Sequence, residues 1–113
     1  MAKKDARFRY TLEQVLFVQR FWNAHPEYRA ELTALVRSRQ PTFAWAGTRQ
    51  PETSPTAPAV QVRDLQLGRA WIAGTFSPEF VPHTAWQSDA FGNSAAFLLF
   101  LSQMGIPNLF IGR

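Results

Sequence analysis

The sequence contains no cysteine among its 113 residues. This absence excludes a disulfide framework, a thiolate metal site and a cysteine nucleophile. Long hydrophobic runs are also absent, because the longest one, residues 95–101, is much shorter than the roughly 20 residues that a membrane-spanning helix needs. No apolar segment of a secretory signal follows Met1. These absences predict a soluble cytoplasmic protein without a membrane partner.

Positive charge is missing from one part of the chain. No Lys or Arg stands between Arg69 and Arg113, although this stretch includes Trp71, Trp86 and several Phe residues. Residues 1–49 instead hold nine of the twelve Lys and Arg residues against four acids, and the net charge of the chain is +4. A basic surface of this kind favours phosphates or an acidic protein as its partner.

The helical part of the predicted fold lies at the two ends of the chain. Apolar residues and capping signals predict a helix over residues 12–23, with Thr11 as its N-cap, and a second helix over residues 26–39 that begins at Pro26. The two form an N-terminal helical hairpin. A third, buried helix is predicted over residues 95–104, where Gly105 and Pro107 end it.

Short strands are predicted between these helices. Alternating or β-branched residues favour strands over residues 42–46, 60–63, 70–76 and 108–111, joined by an irregular connection over residues 77–92. We therefore expect an α+β fold with a small antiparallel sheet of three to four short strands. The 113 residues are expected to form a single domain with a basic N-terminal arm, residues 1–10, and a Pro-rich loop, residues 47–59.

The basic residues supply the leading functional hypothesis. Arg and Lys neutralise phosphates, and the aromatic residues of the arm can stack on bases. The sequence thus predicts a small non-enzymatic binding protein that contacts nucleic acid or a nucleoprotein complex, largely through phosphates. A solvated tail and favourable charges at a helix end remain the alternative explanations. The candidate nucleic-acid-binding residues are Lys3, Lys4, Arg7, Arg9, Arg37 and Arg39.

An excess of aromatic residues supplies the alternative hypothesis. Trp and Tyr dominate the energetics of many protein–protein interfaces, and Trp45 and Trp86 lie in predicted irregular segments. Their partial exposure would indicate a protein-interaction module, such as an inhibitor, an adaptor or an assembly subunit of the kind encoded by phages or mobile elements. Such a module is expected to bind a protein partner or to form a homo-oligomer.

No pattern in the sequence indicates catalysis. Ser77, His83 and Asp89 have the residue types of a hydrolytic triad, but no Gly-x-Ser-x-Gly elbow accompanies them. Glu27 and Glu31 lie one helical turn apart without a third metal ligand, so a solvated helix face explains them better. The glycines form no phosphate-binding loop. We therefore expect a protein that is not an enzyme, with no catalytic residue, no cofactor and no metal.

Overall fold

The computed structural model describes residues 5–48, 58–88 and 94–112. The helices are α1 (Val15–Ala24), α2 (Arg29–Arg37), α3 (Pro58–Thr75) and α4 (Ala95–Gln103), and the strands are β1 (Tyr10–Leu12), β2 (Pro41–Phe43), β3 (Thr84–Ser88) and β4 (Asn108–Gly112). Single 3-10 turns occur at Pro26–Tyr28 and Pro78–Phe80. The expected mixture of helices and short strands is confirmed.

The strands pair in parallel, so the prediction of an antiparallel sheet is wrong. Strand β1 pairs with β2, with Thr11 opposite Thr42, and β3 pairs with β4, with Trp86 opposite Phe110. Helices α1 and α2 lie between β1 and β2 in the sequence, and α4 lies between β3 and β4. A helical connection of this length carries the chain back to the start of the next strand, whereas an antiparallel pair would be joined by a tight turn.

Helix α3 replaces two predicted strands. Its range, Pro58–Thr75, covers all of residues 60–63 and most of residues 70–76. Its buried positions are spaced by three or four residues, which is the repeat of one helix face. These positions are Gln61, Leu65, Gly68 and Ile72. The helix also takes the last two residues of the predicted Pro-rich loop, and residues 49–57 of that loop lie outside the described residues.

The other helices follow the sequence more closely. Helix α4 begins after Ser94, whose hydroxyl accepts a hydrogen bond from the backbone N–H of Phe97, and ends before Gly105, which has a left-handed φ of 74°. Leu98 and Leu99 on this helix are about half exposed, so the helix is only partly buried. The predicted N-terminal hairpin contains α1 and α2, and the second helix begins with a 3-10 turn.

Two groups of buried side chains form the interior. The first joins the β3–α4–β4 unit to the segment after β2 and contains Trp45, Ala46, Leu65, Ala85, Phe97, Leu101 and Ile106. The second joins α1, α2, β2 and α3 and contains Val15, Val18, Val36, Phe43, Ile72 and Phe76. Helix α3 supplies Leu65 to the first group and Ile72 to the second. It therefore connects the two βα units.

Candidate functional site

Open α/β sheets bind their ligands at the carboxyl ends of their parallel strands, so a site is expected at these ends. Strand β1 is followed by Glu13, and β2 is followed by residues 44–48. Asp64 on α3 reaches the same region through a hydrogen bond to Thr48. We refer to Glu13, Gly47, Thr48 and Asp64 as the carboxyl edge.

The start of α1 fixes the segment that follows β2. The backbone N–H of Val15 donates to the carbonyl oxygen of Gly47 at 3.2 Å, and the N–H of Leu16 donates to that of Thr48 at 3.1 Å. The first N–H groups of a helix lack partners within the helix, so these carbonyls satisfy two of them. The exits of β1 and β2 are thereby joined directly.

Asp64 fixes the same segment from the other side. Its carboxylate accepts a hydrogen bond from the hydroxyl of Thr48, and both side chains are half-buried. A side chain at Gly47 would overlap with the indole nitrogen of Trp45 and would approach the second carboxylate oxygen of Asp64 to 2.5 Å. Position 47 therefore requires glycine, because the Trp45 indole and the Asp64 carboxylate both approach it. The carboxyl edge is held in place by α1, β2 and α3 together.

Trp45 is a core residue, and the expectation that it is exposed at an interface is wrong. It has no exposed surface, and its ring centroid lies 6.1 Å from that of Phe97. The physical reason is that the chain turns inward after β2, under α3 and against α4. Such a side chain stabilises the fold through burial and cannot contact another protein.

Trp86 is partly exposed, as expected, and lies on β3. Its ring stacks on Phe110 of β4, with centroids 4.1 Å apart and planes inclined by 13°. The two residues are directly opposite in the parallel register. Gln87 lies on the same face of β3 as Ala85, two residues further along, and it is completely buried. Strand β3 therefore presents a polar side chain to the interior near its carboxyl end.

Of the predicted basic residues that the structure describes, Arg7 and Arg9 make local contacts, whereas Arg39 pairs with Glu79 at 3.3 Å, 40 positions along the chain. Arg7 donates from Nε to the carboxylate of Asp5 at 3.1 Å, and this bond holds the pKa of Asp5 below its usual value. Arg9 donates to the carbonyl of Ala6 at 2.6 Å. Arg37 is exposed in the last turn of α2. Lys3 and Lys4 lie outside the described residues.

The arm itself is attached to the domain rather than projecting from it. The side-chain nitrogen of Gln40, a buried residue, donates to the carbonyl of Asp5 at 3.0 Å. The backbone N–H of Tyr10 donates to the carbonyl of Gln40 at 3.0 Å, where β1 begins. Burial raises the pKa of the Tyr10 phenol. Sequence reasoning missed Gln40 because nothing in its neighbours distinguishes it from an ordinary surface glutamine.

The residues considered for catalysis and metal binding do not form a recognised site. Nδ1 of His83 lies 3.2 Å from the carbonyl oxygen of Gly105, and Asp89 lies outside the described residues. Glu27 pairs with His25 at 3.2 Å; its own backbone N–H and then this imidazole lower its pKa. Within residues 5–48, 58–88 and 94–112, no three His, Asp or Glu residues form a group able to hold a metal ion.

Comparison with known proteins gives a family-level result. Residues 1–113 match the family model described as glycosyl hydrolases family 38 N-terminal domain. The chain is 29% identical to the lysosomal alpha-mannosidase of Cavia porcellus over 100% of its length, and 28% identical to that of Homo sapiens over 96%. It is 27% identical to alpha-mannosidase D of Dictyostelium discoideum over 97%.

The chain spans about a tenth of the length of these curated relatives, 11%, 11% and 9% respectively. The similarity therefore covers nearly all of this chain but a small part of each mannosidase.

These matches contradict the functional hypotheses drawn from the sequence. A glycosyl hydrolase family is a family of enzymes, so the prediction of a non-enzymatic nucleic-acid-binding protein is wrong, and so are its nucleic-acid partners. The excess of basic residues led to this wrong prediction, because net charge indicates solubility and general binding rather than fold or chemistry.

The cytoplasmic location and the single domain stay predictions. Among the helices of the described residues, none has the length and apolar character to cross a bilayer.

Proposed function

Because this chain belongs to the family of glycosyl hydrolase family 38 N-terminal domains, we propose that it hydrolyses α-mannosides. The observation that carries the proposal is the match over residues 1–113, together with relatives that are named alpha-mannosidases. The substrate is thus a glycan with α-linked mannose. The two parallel βα units give the chain a carboxyl edge of the kind at which α/β enzymes bind ligands.

The chemistry of glycoside hydrolysis indicates which type of side chain reacts with the substrate. Most glycosidases use two Asp or Glu residues, one as a general acid and the other as a nucleophile or a general base. In the sequence, two acids directly follow a parallel strand: Glu13 comes after β1, and Asp89 comes after β3. Asp89 lies outside the described residues, and its selection rests on sequence order alone. These two acids are the candidate catalytic carboxylates.

Asp64 has a different role in this proposal. Its carboxylate is hydrogen-bonded to Thr48 and lies beside Gly47, so it holds the segment after β2 rather than facing a substrate. It is a positioning residue for the carboxyl edge. Conservative replacement by Asn retains an oxygen that can accept from Thr48, so it should preserve the edge.

The experiment replaces each candidate carboxylate by its amide and measures hydrolysis of 4-nitrophenyl α-D-mannopyranoside by the purified protein. Loss of a catalytic acid or base is expected to lower kcat by about 10²–10⁴-fold. Glu31→Gln, on the half-buried side of α2, is the matched control and should leave kcat unchanged. Wild-type rates in both Glu13→Gln and Asp89→Asn, or no hydrolysis by the wild type, would overturn the proposal.

A further inference from the structure

Helix α1 carries aromatic side chains on a part of its surface that faces solvent. Phe17 and Phe21 lie one helical turn apart on the same side of the helix, and they are 62% and 43% exposed. Val15 and Val18 of the same helix are buried in the core. The apolar residues of α1 thus extend beyond its buried stripe, whereas a surface helix of a globular protein usually carries polar residues there.

The exposed aromatic residues form one continuous surface. The ring centroid of Phe21 lies 6.1 Å from that of Tyr28, and the centroid of Phe8 lies 5.5 Å from that of Tyr10. Tyr10 in turn lines the same groove as Phe17 and Phe21. We refer to these five residues as the aromatic face. Single exposed apolar residues are ordinary, but a contiguous patch often marks a binding surface.

A groove opens at the aromatic face and is lined by β1, α1 and α2. Its lining residues are all apolar or aromatic: Tyr10, Leu12, Phe17, Val18, Phe21 and Leu32. Its volume of about 200 Å³ is smaller than the roughly 300–1,000 Å³ of small-molecule sites. The groove is therefore suited to one or two apolar side chains of a peptide rather than to a complete small-molecule ligand.

The charge beside the aromatic face is positive on the side of the arm. Arg9 and Arg20 are neighbours in the sequence of aromatic residues of the face, and both are exposed. Within the part of the chain that the structure describes, neither forms an ion pair with a carboxylate. Glu27, next to Tyr28, is already paired with His25. Acidic side chains of a partner can therefore pair with the two arginines without displacing an existing ion pair.

The area of the aromatic face argues against a second copy of the chain as its partner. At about 200 Å² for each fully exposed ring residue, Phe8, Phe17, Phe21 and Tyr28 together expose roughly 400 Å². A stable protein–protein interface buries about 800 Å² on each partner. Two copies, each with a net charge of +4, would also repel each other. A short acidic peptide segment meets neither objection.

From these observations we propose that the aromatic face is a docking site for a short acidic segment of another protein. The segment places aromatic or large aliphatic side chains in the groove, and its carboxylates pair with Arg9 and Arg20. An amphipathic segment that lies in an apolar groove is a recurring mode of peptide recognition. The inference depends on the surface of α1 and the arm, and it does not rest on the hydrolysis of mannosides.

The test begins with a displayed library of random twelve-residue peptides, which is panned on the purified protein. The enriched peptides are expected to combine aromatic or large aliphatic residues with Asp and Glu. One enriched peptide is synthesised with a fluorophore, and fluorescence anisotropy gives its dissociation constant at low and at high salt. The dissociation constant should rise with salt, because exposed charges are screened.

Two substitutions test the two parts of the site, each with a matched control. Phe17→Ser should raise the dissociation constant by about tenfold or more, whereas Val60→Ser, at a similarly exposed apolar residue of α3, should leave it unchanged. Arg20→Glu should raise it by about tenfold and reduce its salt dependence. Arg37→Glu, at an exposed arginine of α2, should have little effect. All four residues are exposed, so the variants are expected to fold, which circular dichroism checks.

Other outcomes would overturn the proposal. These are no enrichment, enrichment of basic peptides, and unchanged binding by Phe17→Ser. A dimer of the wild type that sedimentation detects and that Phe17→Ser abolishes would assign the face to a second copy. Binding to vesicles of anionic phospholipid instead of peptides, again lost in Phe17→Ser, would assign it to a membrane surface. The hydrolysis assay is independent of these measurements, so failure of the proposed function and failure of the docking site are distinguished.

Discussion

Gly68 on α3 lies directly against the carbonyl oxygen of Ala46, and no space remains between them for a side chain. This contact brings α3 onto the segment that follows β2, next to the hydrogen bond between Asp64 and Thr48. The carboxyl edge therefore depends on a close approach of two backbones. Glycine is used here for its lack of a Cβ, since no left-handed φ occurs at this position.

Gly68→Ala is expected to destabilise the protein by about 1–3 kcal/mol, because the added methyl group forces α3 away from Ala46. Gly74→Ala is the matched control on the same helix, where a Cβ meets nothing within 4 Å. It should stabilise the protein by about 0.5–1 kcal/mol, since alanine is the better helix former. Urea unfolding of both variants measures the difference. Equal effects of the two substitutions would disprove the close approach.

The hydrogen bond between Thr48 and Asp64 is expected to stabilise the fold by about 1.5–3 kcal/mol, because its acceptor is charged. Thr48→Val and Asp64→Ala, made singly and together, measure the coupling by a double-mutant cycle. We expect the double variant to lose clearly less free energy of unfolding than the two single variants lose together. Additive losses would mean that the two side chains do not interact in solution.

Trp45 and Trp86 should respond differently to truncation. Trp45→Ala removes a completely buried ring and is expected to cost about 3–5 kcal/mol. Trp86→Ala removes a partly exposed ring whose stacking on Phe110 adds about 0.5–1.5 kcal/mol beyond its burial, so its total cost should be smaller. Thermal unfolding compares them. A larger loss in Trp86→Ala would contradict the described core.

The lowered pKa of Glu27, caused first by its own backbone N–H and then by the His25 imidazole, predicts a pH dependence. Its folded pKa lies below the usual 4.5, so the folded state gains stability from ionised Glu27 above that pH. This contribution should be lost as the pH falls through the lowered folded pKa, because both states are then protonated. The free energy of unfolding, measured from pH 6 to pH 2, should fall less steeply in Glu27→Gln. An unchanged slope would show that the carboxylate has the same pKa in both states.

The sequence revealed the helices whose apolar faces are uninterrupted. α1, α2 and α4 combine an apolar pattern with an identifiable start or end, such as Ser94 before α4 and Gly105 after it. α3 was missed because two of the four positions on its buried face are Gln61 and Gly68, which hide the helical repeat. These residues are there because of contacts made by the folded chain, so local propensity could not reveal them.

The strand arrangement and the site were harder to predict for a similar reason. β1 has three residues, and Thr11 at its centre resembles a helix N-cap, so the strand that creates the first parallel unit was not recognised. Without β1, the helices after it form a hairpin rather than a connection between strands. The carboxyl edge joins residues from three distant segments, and no short motif marks Asp64 as the partner of Thr48.

The most direct measurement is the ratio of kcat/KM for 4-nitrophenyl α-D-mannopyranoside to that for the corresponding β-mannopyranoside, determined with the purified protein. An α-mannoside-hydrolysing enzyme distinguishes the two anomers by the position of the leaving group relative to its carboxylates. Our account predicts hydrolysis of the α-anomer and little or none of the β-anomer. Equal rates for the two anomers, or no hydrolysis of either, would contradict it.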